Sequence, residues 1–218
     1  MLNETLKRIF TSVILLPILF YATVYSGVYL ISLLILVYTL CAYEIIKNSR
    51  NILFNLCANT LLISAFYSFF DLRGNTDYSL TILFWILLST FLSDIGGYTF
   101  GKIFKGKKLT KISPNKTYSG SIGSIILSCL SLPLLNLLQF YFSSELLINF
   151  LKFDFLILTI SISFVCQSGD LIVSIWKRKI KIKNISNILP GHGGMLDRLD
   201  GLIFVLIFCF MLKSISFI

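Results

Sequence analysis

The feature that most limits what this chain can become is a series of seven apolar stretches, each near the length of one bilayer crossing. They run roughly over 9–26, 28–46, 52–70, 79–98, 120–142, 153–175 and 202–217. A hydrocarbon core about 30 Å thick takes about 20 residues of α-helix, with about 17 to 25 tolerated. Within lipid every backbone N–H and C=O must find a partner inside the protein, which single segments of this length achieve as helices. The expected fold is all-α: a polytopic integral membrane helix bundle of about seven transmembrane helices. Composition agrees, with only 13% charged residues against about 25% in soluble domains. No linker interrupts the series. We therefore read 1–218 as one membrane domain, with N-terminal spans over 1–90, a chemistry-bearing region with cytoplasmic basic loops over 91–201 and a last span over 202–218.

The start, MLNETLKRIF, has the basic character of a signal peptide, but 9–26 lacks a small-x-small cleavage site and equally apolar segments follow. A retained first span is expected. The five cysteines (41, 57, 129, 166 and 209) lie in apolar runs without close pairing, as small core residues do. Pro17 and Pro133 should kink their helices, and Lys213 should snorkel from the short last span.

Cytoplasmic loops carry an excess of Lys and Arg. With a cytoplasmic N-terminus, alternation of seven spans puts 16 of the 19 basic residues on the inside, leaving Arg73, Lys152 and Lys213. Two polar blocks, 92–124 and 167–201, then face the same compartment. The first three spans are monotonous and carry no functional signal.

The first block holds six lysines between 102 and 116 with no acid among them, which suits anionic lipid headgroups. Within it, SPNKT gathers the hydroxyls of Ser113 and Thr117, the Asn115 amide and Lys116 around a proline turn, a composition suited to phosphate oxygens. Asp94, beside Gly96 and Gly97, lies at the end of the fourth span, where an ionisable group is a functional candidate by default. In the second block Asp170 sits in an apolar helix with Ser174 one turn on, and Lys177 and Arg178 mark the membrane surface. The PGHGG loop around His192, Gly193 and Gly194 offers bare backbone to a bulky ligand, or is a simple turn. Asp197 and Asp200 project from one face of a helix with Arg198 to one side. They are either acids favoured by a helix N-terminus or a carboxylate pair held by a shared cation, for which oxygen ligands near phosphate suit Mg²⁺. The joint pattern points to polyphosphate held by a metal plus Lys and Arg beside lipid headgroups.

These residues resemble the phosphatidate cytidylyltransferase (CDP-diacylglycerol synthase) family of the bacterial integral-membrane type. Ser174, Lys177, Arg178, Lys183, Ser186, Leu189, Pro190, His192, Gly193, Gly194, Asp197, Arg198 and Asp200 stand at the spacing of that family's C-terminal signature. Ser93, Asp94, Tyr98, Gly101, Ser113, Pro114, Lys116, Thr117 and Gly120 match its upstream segments. The likeness covers about residues 90–205. Trp176, Tyr118 and Ser119 depart from the pattern, and Asn184 stands where the family has Asp.

The resemblance implies that CTP and phosphatidate give CDP-diacylglycerol and pyrophosphate, for phospholipid biosynthesis at the cytoplasmic face of the inner (plasma) membrane. It implies a metal site with Mg²⁺, and room for a second cation, on Asp170, Asp197, Asp200 and Asp94. Lys177, Arg178 and Arg198 would neutralise the reacting phosphates; Ser113, Asn115, Lys116, Thr117, Ser174 and Lys183 would bind phosphate; Gly193 and Gly194 would approach the nucleotide; and His192 would position or contact the leaving group. A homodimer is implied, and no nucleic-acid partner. Rival readings are another CTP-dependent lipid transferase or a polyprenol kinase and, from a different class, an anion transporter.

Overall fold

The computed structural model describes residues 4–110, 113, 116–142, 148–182, 184–186, 188–189, 191 and 193–215, without the side chains of 4–10, 12 and 142. It is an all-helical membrane bundle, with no strand among the described residues. The helices are α1 (Glu4–Tyr25), α2 (Gly27–Asn48), α3 (Ile52–Arg73), α4 (Asp77–Phe104), α5 (Tyr118–Cys129), α6 (Ser131–Phe142), α7 (Phe153–Lys179) and α8 (Leu196–Ser214). Among the described residues helices lie over all the apolar stretches, two of them over 120–142. Five are long and apolar enough to cross a membrane: α2, α3, α4, α7 and the α5–α6 pair over Tyr118–Tyr141. In α1 the apolar part is the shorter Val13–Tyr25, and α8 opens on acids before its apolar run.

Local chemistry explains the boundaries. Thr76 and Ser79 cap α4 reciprocally, and Asn51 caps α3 by accepting from the Phe54 amide. The break between α5 and α6 falls just before Pro133, whose ring displaces the carbonyl four residues back and whose nitrogen donates nothing. Pro17 lies inside α1.

Large apolar side chains face outward along the helices, Val28 at 80% exposure and Leu53 at 74% among them. Such a surface is stable only against lipid or another apolar partner. The interior core packs Trp85 and Ile86 of α4, Ile162 of α7 and Val205 of α8 with Phe150. Polar pairs knit it together: Trp85 Nε1 to Thr159 Oγ1 at 3.2 Å, Ser93 to Ser163 at 2.8 Å and Ser89 to Ser131 at 2.8 Å. Each such bond in a membrane interior contributes about 0.6 kcal/mol.

The tightest helix contact is α4 against α5. A Cβ on Gly96 would lie 2.3 Å from the Gly123 carbonyl oxygen, so Gly96 permits backbone-to-backbone approach of the small-residue kind. At the end of the bundle away from the polar blocks, the buried Arg73 guanidinium donates to the carbonyls of Thr23, Val24 and Gly74. Lys213 pairs there with Asp71 at 2.7 Å, so its charge is met by an acid. Cys41, Cys166 and Cys209 are buried and unbridged.

Candidate functional site

The two polar blocks meet. The C-terminal part of α4, the start of α5, the C-terminal part of α7 and the first turns of α8 enclose a polar cavity of about 530 Å³. Asp94 lies ten residues before the end of α4 and Asp170 nine before the end of α7. At a rise of about 1.5 Å per residue both are recessed about 14 Å below the helix ends.

Asp94 borders the cavity from α4 and accepts from Cys166 Sγ at 3.4 Å. Lys116 reaches across from the segment before α5 to pair with Asp170 at 2.9 Å, so one ion pair joins the two blocks. Asp170 and Asp200 both line the cavity, Asp170 beside Lys116 and Asp200 beside Lys177. Carboxylates gathered in one cavity repel, by about 4 kcal/mol for two unit charges about 4 Å apart at an effective dielectric of about 20, so the cluster calls for positive charge. Lys177 supplies part of it, at 2.9 Å from Asp197 and 3.6 Å from Asp200. That single ammonium touches both carboxylates of the i, i+3 pair, which share one face of α8.

Asp197 is more heavily engaged than the others. Its Oδ1 takes Lys177, while its Oδ2 accepts the amides of Ile185 at 2.9 Å and Gly194 at 3.1 Å. It thereby ties the 185–194 loop to α8. Among the described residues, four carboxylates (Asp94, Asp170, Asp197, Asp200) stand against three cations (Lys116, Lys177, Arg198) in or at the cavity. Among the described residues no three His, Cys, Asp or Glu side chains are grouped so as to hold a metal ion by themselves.

Ser113, Lys116 and Thr117 line the cavity. The Lys116 amide returns to the Ser113 carbonyl at 3.0 Å, and Thr117 Oγ1 caps α5 by accepting from the Gly120 amide at 3.1 Å. Arg198 lines the cavity. Ser174 and Arg178 are not among its lining residues; Arg178 is exposed and donates to the Ile182 carbonyl at 3.3 Å. Asn184 is also exposed and off the lining. Asn115, Lys183 and His192 lie outside the described residues.

Gly193 and Gly194 do not line the cavity either. Gly193 has φ +89° and exchanges backbone bonds with Leu189 at 2.9 and 3.1 Å, making a tight turn. A Cβ on Gly194 would meet carboxylate oxygens of Glu44 at 3.0 Å and Asp197 at 3.1 Å. In the structure the close approach is therefore to these acids.

Two residues escaped the sequence reading. Gln167 accepts from Ser121 Oγ at 2.5 Å and donates to Ser163 Oγ at 3.2 Å, so α7 and α5 are tied at the cavity wall. Glu44 of α2 is fully buried and accepts from Ser186 Oγ and the amides of Met195 and Leu196. Its signal was there: an ionisable side chain within an apolar span is a functional candidate by default.

A second cavity, of about 870 Å³, lies among α1, α4 and α6 and is lined almost entirely by apolar side chains. Phe91 borders both cavities.

Residues 47–216 match the cytidylyltransferase family. The chain is 35% identical over 151 residues to the phosphatidate cytidylyltransferase of Bacillus subtilis, covering 69% of this chain and 54% of that protein. It is 36% identical over 186 residues to that of Staphylococcus haemolyticus, covering 83% and 68%. With that of Rickettsia conorii it shares 36% identity over 120 residues, covering 52% and 49%. The chain thus spans about half to two thirds of the length of these relatives. It belongs to the cytidylyltransferase family.

Proposed function

We propose that the chain is a phosphatidate cytidylyltransferase, forming CDP-diacylglycerol and pyrophosphate from CTP and phosphatidate, with its cavity at the cytoplasmic face of the plasma membrane. The observation that carries this reading is the recessed cavity of paired acids and cations at one end of an otherwise apolar bundle. The relatives named phosphatidate cytidylyltransferase support the choice of substrates. The apolar cavity beyond Phe91 supports a lipid acceptor, since acyl chains could lie there while the headgroup stays with Lys116 and Asp170.

In this reaction a phosphatidate oxygen attacks the α-phosphorus of CTP as pyrophosphate leaves, so two anions must meet. Charge neutralisation is the main catalytic need. At neutral pH the attacking phosphate is already ionised, and no general base is required of the protein. Lys116, displaced from Asp170 by a phosphate oxygen, would hold one substrate. Arg198 would take phosphate oxygens from the α8 side. Lys177 would keep Asp197 and Asp200 in register while its own charge faces the triphosphate.

The donor set fits Mg²⁺, which binds through one or two carboxylates plus substrate phosphates and retained water. Asp170 and Asp200, which line the same cavity, would hold it, with Asp94 bordering the same space. Bound there, the ion would polarise the phosphorus and stabilise charge on the departing oxygen. With acids outnumbering cations at the cavity, a divalent ion also supplies the positive charge a triphosphate needs. Asp197 serves chiefly to hold the 185–194 loop. His192 would position the leaving group.

The test is to supply purified protein in lipid nanodiscs with CTP, phosphatidate and Mg²⁺ and to follow CDP-diacylglycerol by mass spectrometry. Product that depends on all three additions is expected; no product under conditions where a relative turns over contradicts the reading.

A further inference from the structure

We propose that Glu44, contributed by α2, is a positioning residue that fixes the first turn of α8 and through it the place of Asp197 and Asp200. The α8 N-cap, Met195, has no side-chain acceptor for the helix's unpaired amides. Glu44 supplies one from another helix: Oε1 accepts from the Met195 amide and Oε2 from the Leu196 amide, both at 2.9 Å. The negative carboxylate sits where the helix dipole favours it. Oε1 also accepts from Ser186 Oγ at 2.5 Å.

One turn away on the same helix, Asn48 donates to the Ile185 carbonyl at 3.0 Å. The end of α2 therefore grips the 185–196 loop at both ends, while Asp197 holds the Ile185 and Gly194 amides from within. Gly194 is squeezed between the two acids. Asp197 and Asp200 follow directly on the capped turn, so a slip of α8 by one residue would rotate them by about 100° and shift them by about 1.5 Å. Misplacement by about 1 Å costs about 100-fold in rate.

The test compares wild type with Glu44→Gln, which keeps shape and one oxygen but turns a donor toward an amide. Hydrogen–deuterium exchange and steady-state kinetics are measured on the full chain in nanodiscs. Faster exchange confined to 194–200 is expected, with kcat lower by about 100-fold and KM for CTP little changed. Ser186→Ala, which keeps the carboxylate, should move both readouts the same way but less. Glu44→Asp, one methylene short, should not restore activity. Wild-type exchange at 194–200, or exchange rising equally across α4 and α5, overturns the proposal, as does wild-type kcat in Glu44→Gln. The kinetic arm rests on the proposed reaction. If wild type makes no CDP-diacylglycerol that reaction is wrong, and the exchange arm still decides the role of Glu44.

Discussion

Four aspartates share the cavity but do different work, and conservative replacements separate them. Asp170→Asn and Asp200→Asn should each lower turnover by about 100-fold or more, the scale of losing one electrostatic contact to the transition state, while the melting temperature in detergent stays near wild type. Asp197→Ala should also abolish turnover, yet it strips Lys177 of a partly buried partner and two amides of their acceptor. Its stability cost should reach about 3 kcal/mol, seen as a lower melting temperature. Unchanged turnover in either of the first two variants contradicts a metal role for that residue. Asn184 makes the opposite case. Exposed and off the cavity, it should tolerate Asn184→Asp with turnover changed less than about twofold, as surface changes do; a large gain would mean the carboxylate belongs in the site. From sequence the cavity aspartates were legible because a carboxylate in an apolar helix is costly. Glu44 was equally costly but sat, with Lys47 three residues on, in one of the first three spans, whose otherwise monotonous sequence offers no motif.

Among the helices, the α4–α5 contact sets the cavity width. Gly96 faces the Gly123 backbone with no room for a methyl group, so Gly96→Ala forces the helices apart. Overpacking of this kind costs about 1–3 kcal/mol, and chemical denaturation in mixed micelles should show it; a variant as stable as wild type would mean the helices can separate freely. Helix existence was readable from apolar length. Pairing was not: Gly96 and Gly97 read as companions of Asp94, while their role in packing depends on Gly120 and Gly123 in another helix. The loop over 185–194 was likewise illegible, because its glycines answer to Glu44 and Asp197, far away or downstream in sequence.

For the molecule as a whole, alternation of spans put both polar blocks at one end, and the structure joins them through the Lys116–Asp170 pair. Charge bias could suggest that shared face, but not that it folds inward as a recessed cavity with an apolar one behind Phe91. Orientation is open to direct measurement. In a cysteine-free background, Lys107→Cys should react with a membrane-impermeant maleimide in inverted vesicles and not in intact cells, as a cytoplasmic basic loop requires; the reverse pattern would invert the topology. The central claim, transfer of a cytidylyl group to a lipid phosphate, is tested most directly by the position of label. Protein in phosphatidate-containing nanodiscs is given CTP carrying ³²P at either the α or the γ phosphorus. Lipid labelled from the α position alone, with γ label released in pyrophosphate, is the expected result. Lipid labelled from the γ position would mean a kinase, and no labelled lipid, with labelled nucleotide accumulating inside sealed proteoliposomes of the same composition, would mean a transporter; either contradicts the claim.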